Sequence, residues 1–151
     1  MHRTIVVGTD GSPTADRAVD VAGSLARAGN DELHVVMAYR AVRTAALASA
    51  GGAGDVSVPV PAWADDAERD AAEAVLQRTR DRLARDGVHA TVTARYGEAA
   101  DALLATAEEL DAQLIVVGNR GMTGVRRYLL GSVANRVAHH ARCSVHIAHT
   151  G

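Results

Sequence analysis

Short apolar runs and longer amphipathic stretches alternate along this chain, and that alternation limits its possible folds more than any other feature. Thr4 to Val7 (TIVV), Leu33 to Tyr39 (LHVVMAY), Leu114 to Val117 (LIVV) and Ser144 to His149 (SVHIAH) are short, rich in β-formers and bounded by turn or polar residues, the marks of strands. Between them, apolar residues recur three and four positions apart, as one face of a helix requires. Strands that alternate with helices pair in parallel through right-handed crossovers, so the pattern predicts an α/β fold with a mostly parallel sheet.

The individual helices can be placed by their ends. Gly8 and Gly11 release the first strand into a turn, and Ser12-Pro13 predicts a helix start, because proline at a first helical position loses no intrahelical bond. Ala15, Ala18, Val19, Ala22, Leu25 and Ala26 form its stripe, and Gly29-Asn30 stops it. From about Arg40 to Trp63 the reading changes. Gly51, Gly52 and Gly54 break any helix while Pro59 and Pro61 disfavour regular pairing, which predicts an excursion placed to cover a site. Asp65, Asp66, Glu68 and Asp70 then suit a helix N-terminus, with Ala67, Ala71, Ala74, Val75, Arg78 and Arg82 carrying its pattern towards Asp86-Gly87. Val88, Ala90, Val92 and Ala94 alternate with polar neighbours, as in an edge strand. A helix over Glu98 to Leu110 (Ala99, Ala102, Leu103, Thr106, Ala107, Leu110) and a last one marked by Val133, Ala134, Val137, Ala138 and Ala141 complete a β-α-β-loop-α-β-α-β-α-β order. One domain over residues 1–151 accounts for all of it.

Composition narrows the partners. The chain is 48% apolar, mostly Ala, Val and Leu with no Phe, which suits close helix packing. Its net charge of -2, with both signs interspersed, provides no broad positive field for a nucleic acid or an anionic membrane. The single Cys143 forms no internal disulfide, no basic-then-apolar opening marks a signal peptide, and no apolar run spans a bilayer. The expected location is cytoplasmic.

The stretch GNRGMTGVRRYLLGS, Gly118 to Ser132, follows the strand LIVV and is unusually rich in glycine. Loop glycines beyond a parallel strand let backbone amides converge on an anion, and Gly131-Ser132 opens a helix whose first N–H groups favour phosphate. The same glycines are equally compatible with tight turns and strand-helix packing alone. The chain has no G-x-x-x-x-G-K-[ST] phosphate loop, and GTDGSP is not the G-x-G-x-x-G dinucleotide fingerprint.

Together these residues resemble the universal stress protein family, in particular its ATP-binding branch, whose pattern is G-x-x-G, nine residues, then G-[ST]. Gly118-Asn119-Arg120-Gly121, then MTGVRRYLL, then Gly131-Ser132 match it at every specified position. IVVGTDGS, HVV, LIVVGNRG and CSVHIAHT extend the likeness over nearly the whole chain. The resemblance implies an open three-layer α/β sandwich with a five-stranded parallel sheet in the order 3-2-1-4-5, of the Rossmann-like, adenine nucleotide alpha hydrolase-like kind. It also implies an adenine-nucleotide-binding stress-response protein whose ligand is ATP with Mg2+. On that basis Asp10 lies near the ribose or the metal ion, the Gly8-Thr9 backbone borders the base or sugar, and Val35 frames adenine with its backbone. Val117, Gly118, Asn119 and Gly121 line the sugar-phosphate passage, and Gly131, Ser132 and Val133 face phosphate. Gly8 stands where the family often has Pro, and Ser144 replaces the Pro of a usual CPV. The VGN form and the SVHIAHT ending are similar to actinobacterial members, some of which prefer cyclic AMP, and Arg120, Arg126 or Arg127 would neutralise phosphate in either case.

Other readings of these residues stay open. Asp10 as a metal ligand competes with an Asx turn through Gly11. No second acid pairs with Asp10 for hydrolysis, so binding is expected ahead of ATP hydrolysis or self-phosphorylation at Ser132. His139-His140 point about 100° apart on a helix, and His146 and His149 face opposite sides of a strand, so neither pair preforms a metal site. Cys143 reads as a small buried residue and His34 as packing of the second strand. The last strand would leave a sheet edge that, by the resemblance, pairs with a second copy and buries Val145 and Ile147 in a homodimer. The alternatives to a nucleotide-binding regulator are a dimeric interaction module without nucleotide and a weak ATPase.

Overall fold

The computed structural model describes residues 2–40, 61–120 and 130–150. The expected excursion lies for most of its length outside the described residues, as do Gly121, Gly124, Arg126 and Arg127. Among the described residues five strands, β1 (Thr4–Gly8), β2 (Glu32–Tyr39), β3 (Ala90–Tyr96), β4 (Leu114–Gly118) and β5 (Ser144–Ala148), alternate with four helices, α1 (Pro13–Gly29), α2 (Ala62–Arg85), α3 (Ala99–Glu109) and α4 (Ser132–His140). All strand pairs are parallel and their order is β3-β2-β1-β4-β5. The order implied by the resemblance is therefore the order found, and β3 is an edge strand as its alternation predicts.

Pleating distributes the apolar runs to two cores. Ile5 and Val7 of β1, Leu33 and Val35 of β2 and Val116 of β4 face α1 and α2, packing on Ala18, Val19, Ala22, Leu76 and Leu83. Val6, Val36, Ile115 and Val117 face the other way, onto Leu103 and Ala107 of α3 and Ala134 and Val137 of α4. Alanines on the helix faces bring the helices close to the sheet, which is how a chain without Phe fills two layers. Ser12 caps α1, accepting from the Ala15 N–H at 3.2 Å, with Pro13 as its first residue, and Asn30 ends it at φ 53°.

Two expectations are corrected here. The excursion does not reach Trp63: Pro61 is the cap of α2, and Trp63 stands in its first turn, 70% exposed. A proline immediately before a helix gives up no hydrogen bond, so it starts the helix where the sequence reading saw only a pairing breaker. The buried stripe of α2 is Ala72, Leu76, Thr79 and Leu83, whereas Ala67, Ala71, Ala74 and Arg78 are exposed. The expected stripe was displaced by one residue, about 100° around the axis. In α4, Ala138 is likewise exposed.

At the amino ends of the strands, Arg3 clasps Asp31: its backbone N–H donates to Oδ1 at 2.9 Å, and Nε and Nη2 donate to Oδ2 at 2.9 and 2.7 Å. On α3, Glu109 takes Arg95 Nη2 at 2.6 Å. These hydrogen bonds hold both carboxyls below the usual carboxylate range. A carboxyl depressed in the folded state contributes stability above its unfolded pKa and loses it as pH falls through the folded one. Thermal midpoints measured from neutral to acidic pH should therefore fall on acidification, and Arg95→Met should flatten part of that fall.

Candidate functional site

The chain leaves β1 towards α1 on one face of the sheet and leaves β4 towards α4 on the other. Because β1 and β4 are neighbours, their carboxyl ends diverge into a crevice, the place where open α/β sheets hold ligands. A cavity of ≈ 170 Å³ lies there. Gly8 at the end of β1 with Thr9 and Asp10 beyond it, and Val117 and Gly118 at the end of β4 with Arg120 beyond it, form its base. Val36 and Ala38 of β2 and Ala99 and Leu103 of α3 supply an apolar side, and Gly131 to Ala134 close it with the first turn of α4, with Ala15 of α1 beside them.

The loop after β1 is held by its own polar groups. Thr9 N–H donates to the Val36 carbonyl at 2.9 Å, tying the loop to β2. Thr9 Oγ1 accepts from Gly11 N–H at 3.1 Å, and Asp10 Oδ1 accepts from Ser12 N–H at 2.9 Å. Asp10 thus makes the Asx turn and also borders the cavity. At Gly8 the backbone passes so near α3 that a Cβ would stand 2.9 Å from Leu103 Cδ1. Any larger residue there makes the end of the Leu103 side chain shift.

The start of α4 is of a different kind. Its cap is Gly131, no side chain among the described residues satisfies its first N–H groups, and the Asn135 N–H is the first to return, to the Gly131 carbonyl at 2.9 Å. Ser132 and Val133 therefore present backbone donors, and Ser132 a hydroxyl, on the cavity side. The start of α3 also lacks a side-chain cap, since Glu98 pairs with Arg40, and Ala99 borders the same cavity. Two open helix starts around one crevice favour an anion, by orphan N–H groups and by the helix dipole.

Nine of the residues expected from the sequence border this cavity: Gly8, Thr9, Asp10, Val117, Gly118, Arg120, Gly131, Ser132 and Val133. Val35 and Asn119 are not among its lining. Val35 is fully buried on the opposite face beneath α1, and its neighbour Val36 borders the cavity instead. Period two along β2 turns the Val36 side chain to the pocket side and the Val35 side chain to the other, whereas the part expected of Val35 belongs to its backbone. Asn119 turns its side chain to the C-terminal residues, accepting Thr150 N–H at 2.9 Å. The sequence reading missed Ala15, Ala38, Leu103 and Ala134 as lining, small or apolar residues with no chemical signature.

Among the described residues, no group of three or more His, Cys, Asp and Glu stands together as a metal site. Cys143 is half-buried beside a separate cavity of ≈ 310 Å³ with His140, Arg142 and Glu108, and burial pushes its thiol up from the ordinary range. Among the described residues β5 pairs only with β4, and Ile147 on it is 39% exposed. Among the described residues, no helix is long and apolar enough to cross a membrane.

The fold and cavity together define an open-sheet α/β protein that can hold a small anionic ligand at its strand ends. Residues 1–149 match the Universal stress protein family, and the chain belongs to that family. It is 36% identical over 151 residues to a universal stress protein of Mycobacterium tuberculosis, covering 99% of this chain and 97% of that one. With a universal stress protein of Bacillus subtilis it shares 30% over 148 residues, 96% of this chain and 97% of the relative. A crystal structure of a universal stress protein in complex with cAMP superposes with a TM-score of 0.70 at 33% identity, over 99% and 98% of the two chains. One from Archaeoglobus fulgidus in complex with dAMP, at 22% identity and TM-score 0.68, covers 95% of each chain and shares the fold.

Proposed function

We propose that the chain binds an adenine nucleotide in the crevice between β1 and β4 and acts as a stress-response regulator through occupancy. The single observation that carries this is the start of α4, uncapped by any side chain among the described residues and bordering the cavity with Ser132 and Val133. The nucleoside end would lie against Val36, Ala38 and Leu103, and the phosphates against the α4 donors and Arg120. ATP with Mg2+ is the first reading, supported by the G-x-x-G, nine residues, G-S spacing. Asp10 would hold the metal ion: it is exposed at the cavity, and Mg2+ is commonly kept by one or two carboxylates, phosphates and water. The ion would offset phosphate charge. Among the described residues lining the cavity Asp10 is the sole carboxylate, which favours binding over hydrolysis.

Cyclic AMP is the second reading, favoured by the cAMP complex of the 33% identical structure. A homodimer through the β5 edge, burying Ile147, and a cytoplasmic location belong to the same proposal. Calorimetric titration of nucleotide-free protein with ATP and magnesium, and separately with cyclic AMP, tests it. Saturable one-to-one binding of ATP is the expected result, preferential binding of cyclic AMP promotes the second reading, and binding of neither overturns both.

A further inference from the structure

We infer that the C-terminal residues form a latch that positions the start of α4, with Asn119 as the connecting residue. Thr150 lies two residues beyond the end of β5 and is 3% exposed. Every polar group it has is engaged. Its N–H and hydroxyl both donate to Asn119 Oδ1, at 2.9 and 2.7 Å, and its carbonyl accepts Arg17 Nη1 at 2.8 Å. Its methyl group packs over Gly118, where a Cβ would come within 3.2 Å of it.

Asn119 carries this anchoring across the crevice. Its N–H donates to the Ala148 carbonyl at 2.9 Å, fixing the end of β5, and its own carbonyl accepts the Gly131 N–H at 2.9 Å. Its amide nitrogen lies 3.2 Å from His149 Nδ1. One residue therefore grips the tail with its side chain and the cap of α4 with its backbone, and it does so without lining the cavity. An amide suits this place because its oxygen accepts two donors while its nitrogen still donates to a ring nitrogen. Asn119 and Thr150 are positioning residues: they set where the Ser132 and Val133 donors stand. The effect on nucleotide rests on the reading under Proposed function, and the effect on the helix start does not.

The two parts separate experimentally. Amide hydrogen exchange would be followed in nucleotide-free protein for the wild type, for Thr150→Val, which removes only the hydroxyl, and for a chain ending at His149. Exchange at Gly131 and the first turn of α4 should quicken in both, about tenfold or more in the shortened chain, while β1 and β4 keep their protection. Unchanged exchange at Gly131 in the shortened chain overturns the latch. Titration of the same proteins with ATP and magnesium and with cyclic AMP should show Thr150→Val binding about threefold to tenfold more weakly, the range of one lost hydrogen bond. If the wild type binds either nucleotide and the shortened chain binds it equally well, the positioning role is overturned. If the wild type binds neither, the nucleotide reading fails, and faster exchange at Gly131 still establishes the latch.

Discussion

Ser132→Glu is expected to make the protein slightly more stable and a much poorer nucleotide binder. A carboxylate in the first turn of a helix complements the helix dipole and contributes about 0.3 to 1 kcal/mol. The same charge placed where phosphate should sit repels it. At a separation of about 5 Å and an intermediate dielectric, one pair of like charges costs about 2 to 3 kcal/mol, or roughly thirtyfold or more in affinity. ATP should lose more than cyclic AMP, because it brings more negative charge to the same spot. Ser132→Ala separates the hydroxyl from the charge. Chemical denaturation and calorimetry on the two variants give both quantities, and an affinity that Ser132→Glu leaves intact would move the phosphate site away from α4.

Ile5→Ala is the corresponding expectation for the scaffold. Ile5 is fully buried in the central strand, under α1 and α2, so truncation loses its transfer free energy and leaves a void. The cost should be about 3 kcal/mol, which for a domain of this size lowers the melting temperature by roughly 6 to 12 °C. Its side chain points to the face opposite Leu103 and α4, so nucleotide affinity should survive. Nucleotide at about a hundred times its dissociation constant should then restore about 2.7 kcal/mol by mass action. Denaturation of the variant with and without ATP measures both numbers, and a loss of binding equal to that of Ser132→Glu would show that the crevice depends on the far core.

The strands were readable because buried parallel strands are short apolar runs with turn residues at their ends, and β1 and β4 are clear examples. The face of α2 was less so. Its alanines and arginines repeat on several stripes, and only the Leu76 and Leu83 pair, seven residues apart, distinguishes the buried one. Part of the cavity was legible for the same reason as β1 and β4, since glycines at strand ends announce themselves. Val36, Ala99 and Leu103 were not, because strand order and pleat direction bring them to the crevice rather than any local motif. Asn119 shows the reverse failure. Its place inside the glycine motif suggested a ligand contact, whereas its partner is Thr150, 31 residues later, and no local spacing encodes that meeting.

A parallel sheet gives the molecule two unlike ends. The crevice proposed for ligand lies at the carboxyl ends of the strands, while Cys143 precedes the first residue of β5 at the amino ends. The length of the strand separates the two, about 16 Å for five residues at about 3.3 Å each. Cys143 is also the chain's sole cysteine. A maleimide dye coupled there, under mildly alkaline conditions because its thiol holds its proton tightly, reports from the quiet end of the protein. An affinity tag fused after Gly151 would load the opposite one, pulling on the residues that Asn119 holds.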